Sequence, residues 1–268
     1  PLLDPKDILE KMDSKAILEP KFDGFRVQIH LDKNRQDKTK KETSLFDTVK
    51  KEAFVKIYSR NLDDITFMFP ELVTDIAKLP VDSIILDGEA LAFDPKTGKL
   101  LDFQETIKRK RKHNIDKVSL DIPLQAQIFD VLYIDGKSLI KTPFIKRRNK
   151  LEEILTNFDS PHYLICNQKI VDNPDDFDKF FQQVTGAGLE GLMAKKLDAP
   201  YKAGKRDFTW VKYKVGMQSE MADTVDAIII GYFKGKGKWT QFGLGKVLLG
   251  IPDEDKIYAL SKVGSGFS

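Results

Sequence analysis

The stretch that most constrains this chain runs from Leu18 to His30 and reads LEPKFDGFRVQIH. Val27, Ile29 and Leu31 alternate with the polar Gln28 and His30, the period-two pattern of a strand buried on one face. The strand is entered through Lys21, Asp23 and Gly24. Residues two apart in an extended chain project to the same side, so Lys21 and Asp23 share a face, while Gly24 permits a turn or a ligand's close approach. Taken alone, this pattern is met by a surface Lys–Asp pair at a strand edge. A lysine that acts as a nucleophile must first lose its proton, which takes desolvation or neighbouring positive charge. The remaining motifs decide between the two.

Further strands are predicted at VKIYSR, LQAQIFDVLYI, EGLMAKKL and TWVKYKV. SIILDGEALAFDPKTGKLL reads as strand, tight corner, strand and turn, with Asp94, Pro95, Thr97 and Gly98 supplying the turn chemistry, and an Asp-Gly turn follows LQAQIFDVLYI. Helices are predicted over FPELVTDIAKL, where Phe69, Leu72, Val73 and Ile76 recur at helical spacing, over PFIKRRNKLEEILTNF, and over DDFDKFFQQVTGAG, which ends in glycine. The order of elements is α+β with an antiparallel emphasis, not a regular βαβ alternation. Residues 32–56 are lysine-rich and read as an exposed extension with a short helix near Leu45–Val49. Around Gly216–Thr224 the chain turns polar, and DAIIIGYFKGKGK, KVLLGIP and IYALSKVG then read as the first strands of a small barrel. Two domains are therefore expected, 1–216 and 217–268.

The 268 residues suffice for a sizeable core. Lys+Arg 44 against Asp+Glu 41 leaves only +3, so net charge does not announce a nucleic-acid partner. The single cysteine, Cys166, cannot form an internal disulfide, which suits a reducing compartment and a buried small apolar role. No apolar run is long enough for a membrane span, and neither a span nor a signal peptide is expected. The start at Pro1 leads us to expect a fragment of a longer protein.

Several charged positions invite a chemical role. Glu190 precedes the strand GLMAKK, and Lys212 and Lys214 lie on one face of WVKYK in phase with Trp210, so both ammonium groups can reach one phosphate. Glu89 sits in an apolar strand and needs a partner: a metal, a ribose hydroxyl or a lysine. The run Lys108, Arg109, Lys110, Arg111 and Lys112 could contact backbone phosphates, and GYFKGKGKW could lie along a nucleic-acid strand. Each also has a bland explanation as a solvated face or a flexible turn.

In order, KFDGFR, YSRNLDDIT, LDGEALAF, IFDVLYIDG, EGLMAKK and WVKYK resemble the nucleotidyltransferase motifs of ATP-dependent DNA ligases, most closely the archaeal and eukaryotic replicative type. FQETIKRKRK is similar to that branch too, and the resemblance runs from about Asp4 to Ser268. It implies an adenylation domain with antiparallel sheets flanked by helices, followed by the start of an OB-fold β-barrel. It implies that Lys21 attacks the α-phosphate of ATP to form a lysyl-AMP, with Glu19 at the adenine and Phe129 stacked on it. Arg26 and Glu89 would address the ribose, and Arg60, Arg206, Lys212 and Lys214 would hold phosphate. Glu190 with Glu89 would bind Mg²⁺. Nicked double-stranded DNA would be the substrate, bound without base specificity, and a sliding clamp a possible partner. A monomer within the cell, in prokaryotic cytoplasm or a eukaryotic nucleus, is implied as well.

Relative to that family, the polar extension after Leu31 is longer than the usual hairpin. The helical DNA-binding domain and the basic motif that ends the barrel are not in this sequence, so weak self-adenylation is expected of it. An RNA ligase or a capping guanylyltransferase of the same superfamily is the first alternative. A nucleic-acid-binding protein that keeps the fold without catalysis is the second, and Lys21, Glu89, Glu190, Lys212 and Lys214 together argue against it.

Overall fold

The computed structural model describes residues 4–35, 53–110, 119, 121–204, 208–215, 227–235, 243, 245–253 and 256–264. The polar stretch 36–52, with its expected short helix, lies outside them. The chain divides into two compact units, Pro1–Gln218 and Ser219–Ser268.

The first unit is built on two antiparallel sheets. One has the order β10-β9-β1-β8, formed by Trp210–Lys214, Gly191–Lys196, Ala16–Lys21 and Lys169–Val171. The other has the order β3-β2-β4-β5-β6: Phe54–Tyr58, Phe25–Asp32, Ser83–Ala92, Leu124–Ile134 and Lys137–Ser138. The short β7, Tyr163–Ile165, adds in parallel to β5. The alternation that marked β2 holds: Val27 and Ile29 are fully buried, Leu31 nearly so, and Gln28 and His30 only partly. The tight corner expected within SIILDGEALAF does not form: β4 runs unbroken from Ser83 to Ala92, because it pairs with β2 and β5 on both sides. β4 and β5 carry longer buried runs because they occupy the middle of their sheet.

Helices cover the sheet faces turned away from each other. α1 (Pro5–Lys11) starts at Asp4, whose carboxylate accepts the Lys6 N–H at 2.7 Å, with proline in the first turn. α2 (Pro70–Ile76) and α3 (Phe103–Ile107) are short. α4 (Phe144–Leu155) is shorter at both ends than its sequence pattern, because Pro143 takes the capping position and the helical turns end before Phe158. α5 (Pro174–Gly186) is capped by Asn173, which accepts the Asp176 N–H at 2.9 Å. Its Phe177, Phe180, Phe181 and Val184 pack with Leu18, Leu192, Ala194 and Tyr213 on one face of the first sheet. A second core joins β2–β5 to α2 and α4 through Val27, Ile29, Leu72, Ile128 and Leu151. Neither α1 nor α3 carries enough periodic apolar positions to be read from sequence.

The second unit is an antiparallel meander of β11 (Ile228–Phe233), β12 (Lys246–Asp253) and β13 (Lys256–Val263). Register shifts between Ile229 and Gly231 and between Leu249 and Gly250 bend it.

Candidate active site

One face of the first sheet is covered by α1 and α5, so alternate residues face the other way. Cross-strand register aligns three rows on that free face: Trp210–Lys195–Ile17, Lys212–Met193–Glu19, and Lys214–Gly191–Lys21. The last row explains the Glu-Gly pair. Gly191 has φ +150°, and a Cβ on it would lie 2.2 Å from the Tyr213 carbonyl oxygen, so only glycine lets β10 close onto β9 here. The preceding Glu190 then places its carboxylate between two ammonium groups. One oxygen contacts Lys21 Nζ and the other Lys214 Nζ.

The second sheet supplies the facing wall. Arg26, Glu89 and Gln127 lie side by side across β2, β4 and β5. Arg26 makes a bidentate pair with Asp87, both contacts at 2.6 Å, and Tyr201 Oη donates to the same carboxylate at 2.9 Å. Burial opposes the charge on Arg26, but Asp87 outweighs it and holds the guanidinium pKa above its ordinary value. Gly24 answers why the strand entrance carries a glycine. A Cβ there would sit 2.5 Å from the Ala90 carbonyl oxygen, and the Gly24 N–H donates to Glu89 Oε1 at 3.2 Å. The Lys-x-Asp-Gly loop is thus laid directly on β4. Burial pushes the Glu89 carboxyl up to about 7, against the lowering influence of Arg26 and the Gly24 N–H.

Between the walls lies a buried ionic core. Lys195 Nζ is 2.5 Å from Glu19 Oε2 and within 4.6 Å of the ring centroids of Phe129, Phe144 and Trp210, an aromatic box around an ammonium. Arg148 reaches Glu19 Oε1 at 3.5 Å and donates to the Cys166 carbonyl. Burial raises the Glu19 pKa while Lys195 and Arg148 lower it, and burial prevails. Beside them Arg147 and Asp130 form a fully buried bidentate pair at 2.8 Å. Phe129 meets the Trp210 ring edge-on at 5.8 Å and carries the Arg26 guanidinium 4.8 Å from its centroid.

The structure therefore gathers Glu19, Lys21, Arg26, Glu89, Phe129, Glu190 and Lys214 around one cleft, with the exposed Lys212 on the same face of β10. Arg60 lies apart from them in the sequence of elements, exposed in the turn after β3. Arg206, Arg111, Lys112 and the side chain of Lys110 fall outside the described residues. Lys108 is exposed and pairs with Glu105. Arg109 departs from the expected phosphate contact. It is 2% exposed, donates to the carbonyls of Met68 and Ile122, and pairs with Glu71 at 2.9 Å. The turn that follows α3 aims this one member of the basic run inward, so its guanidinium serves the fold.

The sequence motifs do not single out Asp87, Arg148, Lys195 or Tyr201 as site residues. A signal existed for two of them: Asp87 stands two residues before Glu89 and shares its face, and Lys195 is a charge inside an apolar strand. Arg148 and Tyr201 carry no local signal.

A family model described as the ATP dependent DNA ligase domain matches residues 46–214. A probable DNA ligase of Dictyoglomus thermophilum is 42% identical over 264 residues, which is 97% of this chain and 42% of the relative. This chain belongs to the ATP-dependent DNA ligase family. A DNA ligase of Pyrobaculum islandicum is 39% identical over 266 residues, covering 98% of this chain and 42% of its own length. Among solved structures, a mycobacterial DNA ligase D complexed with ATP and MES is similar at a TM-score of 0.56 and 25% identity, over 95% of this chain and 68% of that one. The family uses ATP and seals nicks in DNA through adenylation. The chain spans less than half the length of the curated relatives it matches, 42% for both of those named. No helix among the described residues is long and apolar enough to cross a membrane.

Proposed function

We propose that this chain is the nucleotide-charging core of a DNA ligase and that Lys21 is its nucleophile. The observation that supports this most directly is the row Lys214–Gly191–Lys21 with Glu190 bridging the two lysines. In the reaction, a P–N bond forms between Lys21 Nζ and the α-phosphorus of ATP, the α–β phosphoanhydride breaks, and pyrophosphate leaves. Lys21 must give up a proton for its nitrogen to attack, and the Glu190 carboxylate in contact with it is the nearest acceptor. Lys214 and the exposed Lys212 lie along the same face, placed to neutralise phosphate oxygens as charge shifts to the leaving group.

Phe129 offers the aromatic surface for the base, and Glu19, held by Lys195 and Arg148, stands behind it with its carboxylate oriented. Arg26, fixed by Asp87 and Tyr201, borders the position of the ribose beside Glu89. Glu190 and Glu89 provide oxygen donors of the kind Mg²⁺ takes when one or two carboxylates are completed by water and substrate phosphates. When bound, the ion would supply charge neutralisation at the phosphates. Among the described residues no cluster of three or more ligating side chains stands ready for a metal without such completion.

Transfer of the AMP to the 5′-phosphate of nicked double-stranded DNA, and its displacement by the adjacent 3′-hydroxyl, complete the proposal for the whole protein. Contacts to the DNA backbone would come from Lys108, Lys110, Arg111 and Lys112, with Arg109 removed from that set by its burial. The meander of the second unit is read as the beginning of an OB-fold. Incubation with α-labelled ATP and Mg²⁺, followed by denaturing electrophoresis, tests the central claim. Label that survives denaturation in the wild type and vanishes in Lys21→Ala supports it, whereas equal labelling of the variant refutes it.

A further inference from the structure

The turn after β3 holds a leucine in a conformation that its side chain disfavours. Ser59 N–H donates to the Asp63 carbonyl at 2.9 Å, Leu62 N–H donates to the Ser59 carbonyl at 2.9 Å, and Ser59 Oγ accepts from the N–H groups of Asn61 and Asp63 at 3.2 Å. Asp64 then accepts the Thr66 N–H at 3.0 Å and pairs with Lys56 at 2.9 Å. This network puts Leu62 at φ +64°, the left-handed position that tight hairpin loops ordinarily give to glycine. The other non-glycine residues with positive φ among those described, Asp13, Ser14 and Asp135, are short and polar, which that region tolerates better. Leu62 is 68% exposed, so little packing offsets the strain. An exposed leucine alone calls for no explanation, but one displayed on a strained, hydrogen-bonded turn points to a ligand.

The neighbours of Leu62 select the ligand. Arg60 and Asn61, both exposed, precede it in the same turn. β2 and β3 pair antiparallel as far as Gln28–Tyr58, so the turn leaves β3 at the end of the sheet where Arg26 and Gly24 stand, on the side of the Lys21 cleft. Arginine and asparagine together with an apolar tip form the set by which proteins enter the minor groove of duplex DNA, the tip lying against sugars or wedging a base step. We infer that Leu62 is a DNA-positioning contact, seated in the minor groove near the nick while Arg60 takes a flanking phosphate. This rests on the reading of nicked DNA as the substrate and does not require Lys21 to be a nucleophile.

Binding of a fluorescein-labelled nicked duplex to the whole chain, followed by anisotropy over a range of salt concentrations, tests the inference. Leu62→Asn, which suits a left-handed backbone, should weaken binding about tenfold without changing its salt dependence. Arg60→Ala should weaken binding and reduce the salt slope by about one. Leu62→Met keeps a large apolar tip and should bind nearly as the wild type does. Because Leu62→Asn relieves strain, its melting temperature should hold or rise by up to about 4 °C, and its lysyl-AMP formation should match the wild type. Wild-type affinity in Leu62→Asn, an equal loss in Leu62→Met, a lowered melting temperature or lost lysyl-AMP formation in Leu62→Asn, or no binding of the duplex by the wild type overturns the inference. Loss of lysyl-AMP in Lys21→Ala bears on the earlier proposal and leaves this one untouched.

Discussion

Glu89 should make the stability of this protein fall as pH rises through the slightly acidic range. Its carboxyl, pressed between the Gly24 loop and β5, titrates at about 7 in the folded chain instead of the ordinary 4.5. Below pH 4.5 it is neutral in both the folded and unfolded chain. Between 4.5 and about 7 the unfolded chain loses this proton while the folded chain keeps it, so folding becomes less favourable; above 7 the full cost is present. At about 1.36 kcal/mol per pH unit, the cost approaches about 3 kcal/mol. Glu89→Gln removes the titration while keeping an oxygen to accept the Gly24 N–H. Urea denaturation of both proteins from pH 4.5 to 8 should therefore show the variant gaining on the wild type by up to about 3 kcal/mol across the range. A stability difference that does not change with pH would show that the carboxyl is already ionised in the folded state, and the burial argument would fail.

Arg147→Met should cost about 3–5 kcal/mol in denaturant unfolding, because it strands the fully buried Asp130 carboxylate; adding Asp130→Asn should restore part of the loss. Ile29→Ala, at a fully buried position of β2, should lower stability by about 2–5 kcal/mol in the same assay. Gly191→Ala would force a Cβ to within 2.2 Å of the Tyr213 carbonyl oxygen, parting β9 from β10. Labelling with α-labelled ATP should then drop sharply; full labelling would mean that the Lys214–Gly191–Lys21 row is not needed to place Glu190.

Local chemistry alone located most of the strands. Alternation at Val27, Ile29 and Leu31 made β2 legible, since side-chain direction in a strand follows from neighbouring residues only. The spacing of Lys212 and Lys214 likewise put both on one face before any partner strand was known, and the Phe-rich pattern of α5 marked its buried side. The ordered motifs carried the family, because each is a short contiguous string whose chemistry survives without knowledge of the fold.

What the tertiary structure decided concerns charges, whose surroundings come from distant strands. Nothing near Arg109 in the chain distinguishes it from Lys108, yet one faces solvent and the other is enclosed by Glu71 and two carbonyls from elsewhere. Lys195 and Arg148 converge on Glu19 across 176 and 129 positions of chain, a juxtaposition no local pattern encodes. The same holds for Glu190. Its motif marked it as a carboxylate of interest, but only the register of three strands, and the missing Cβ of Gly191, set it between Lys21 and Lys214. The residue types are a property of the sequence; their burial and electrostatic partners arise only when the sheets pack, because desolvation and Coulomb attraction depend on distance in space and not along the chain.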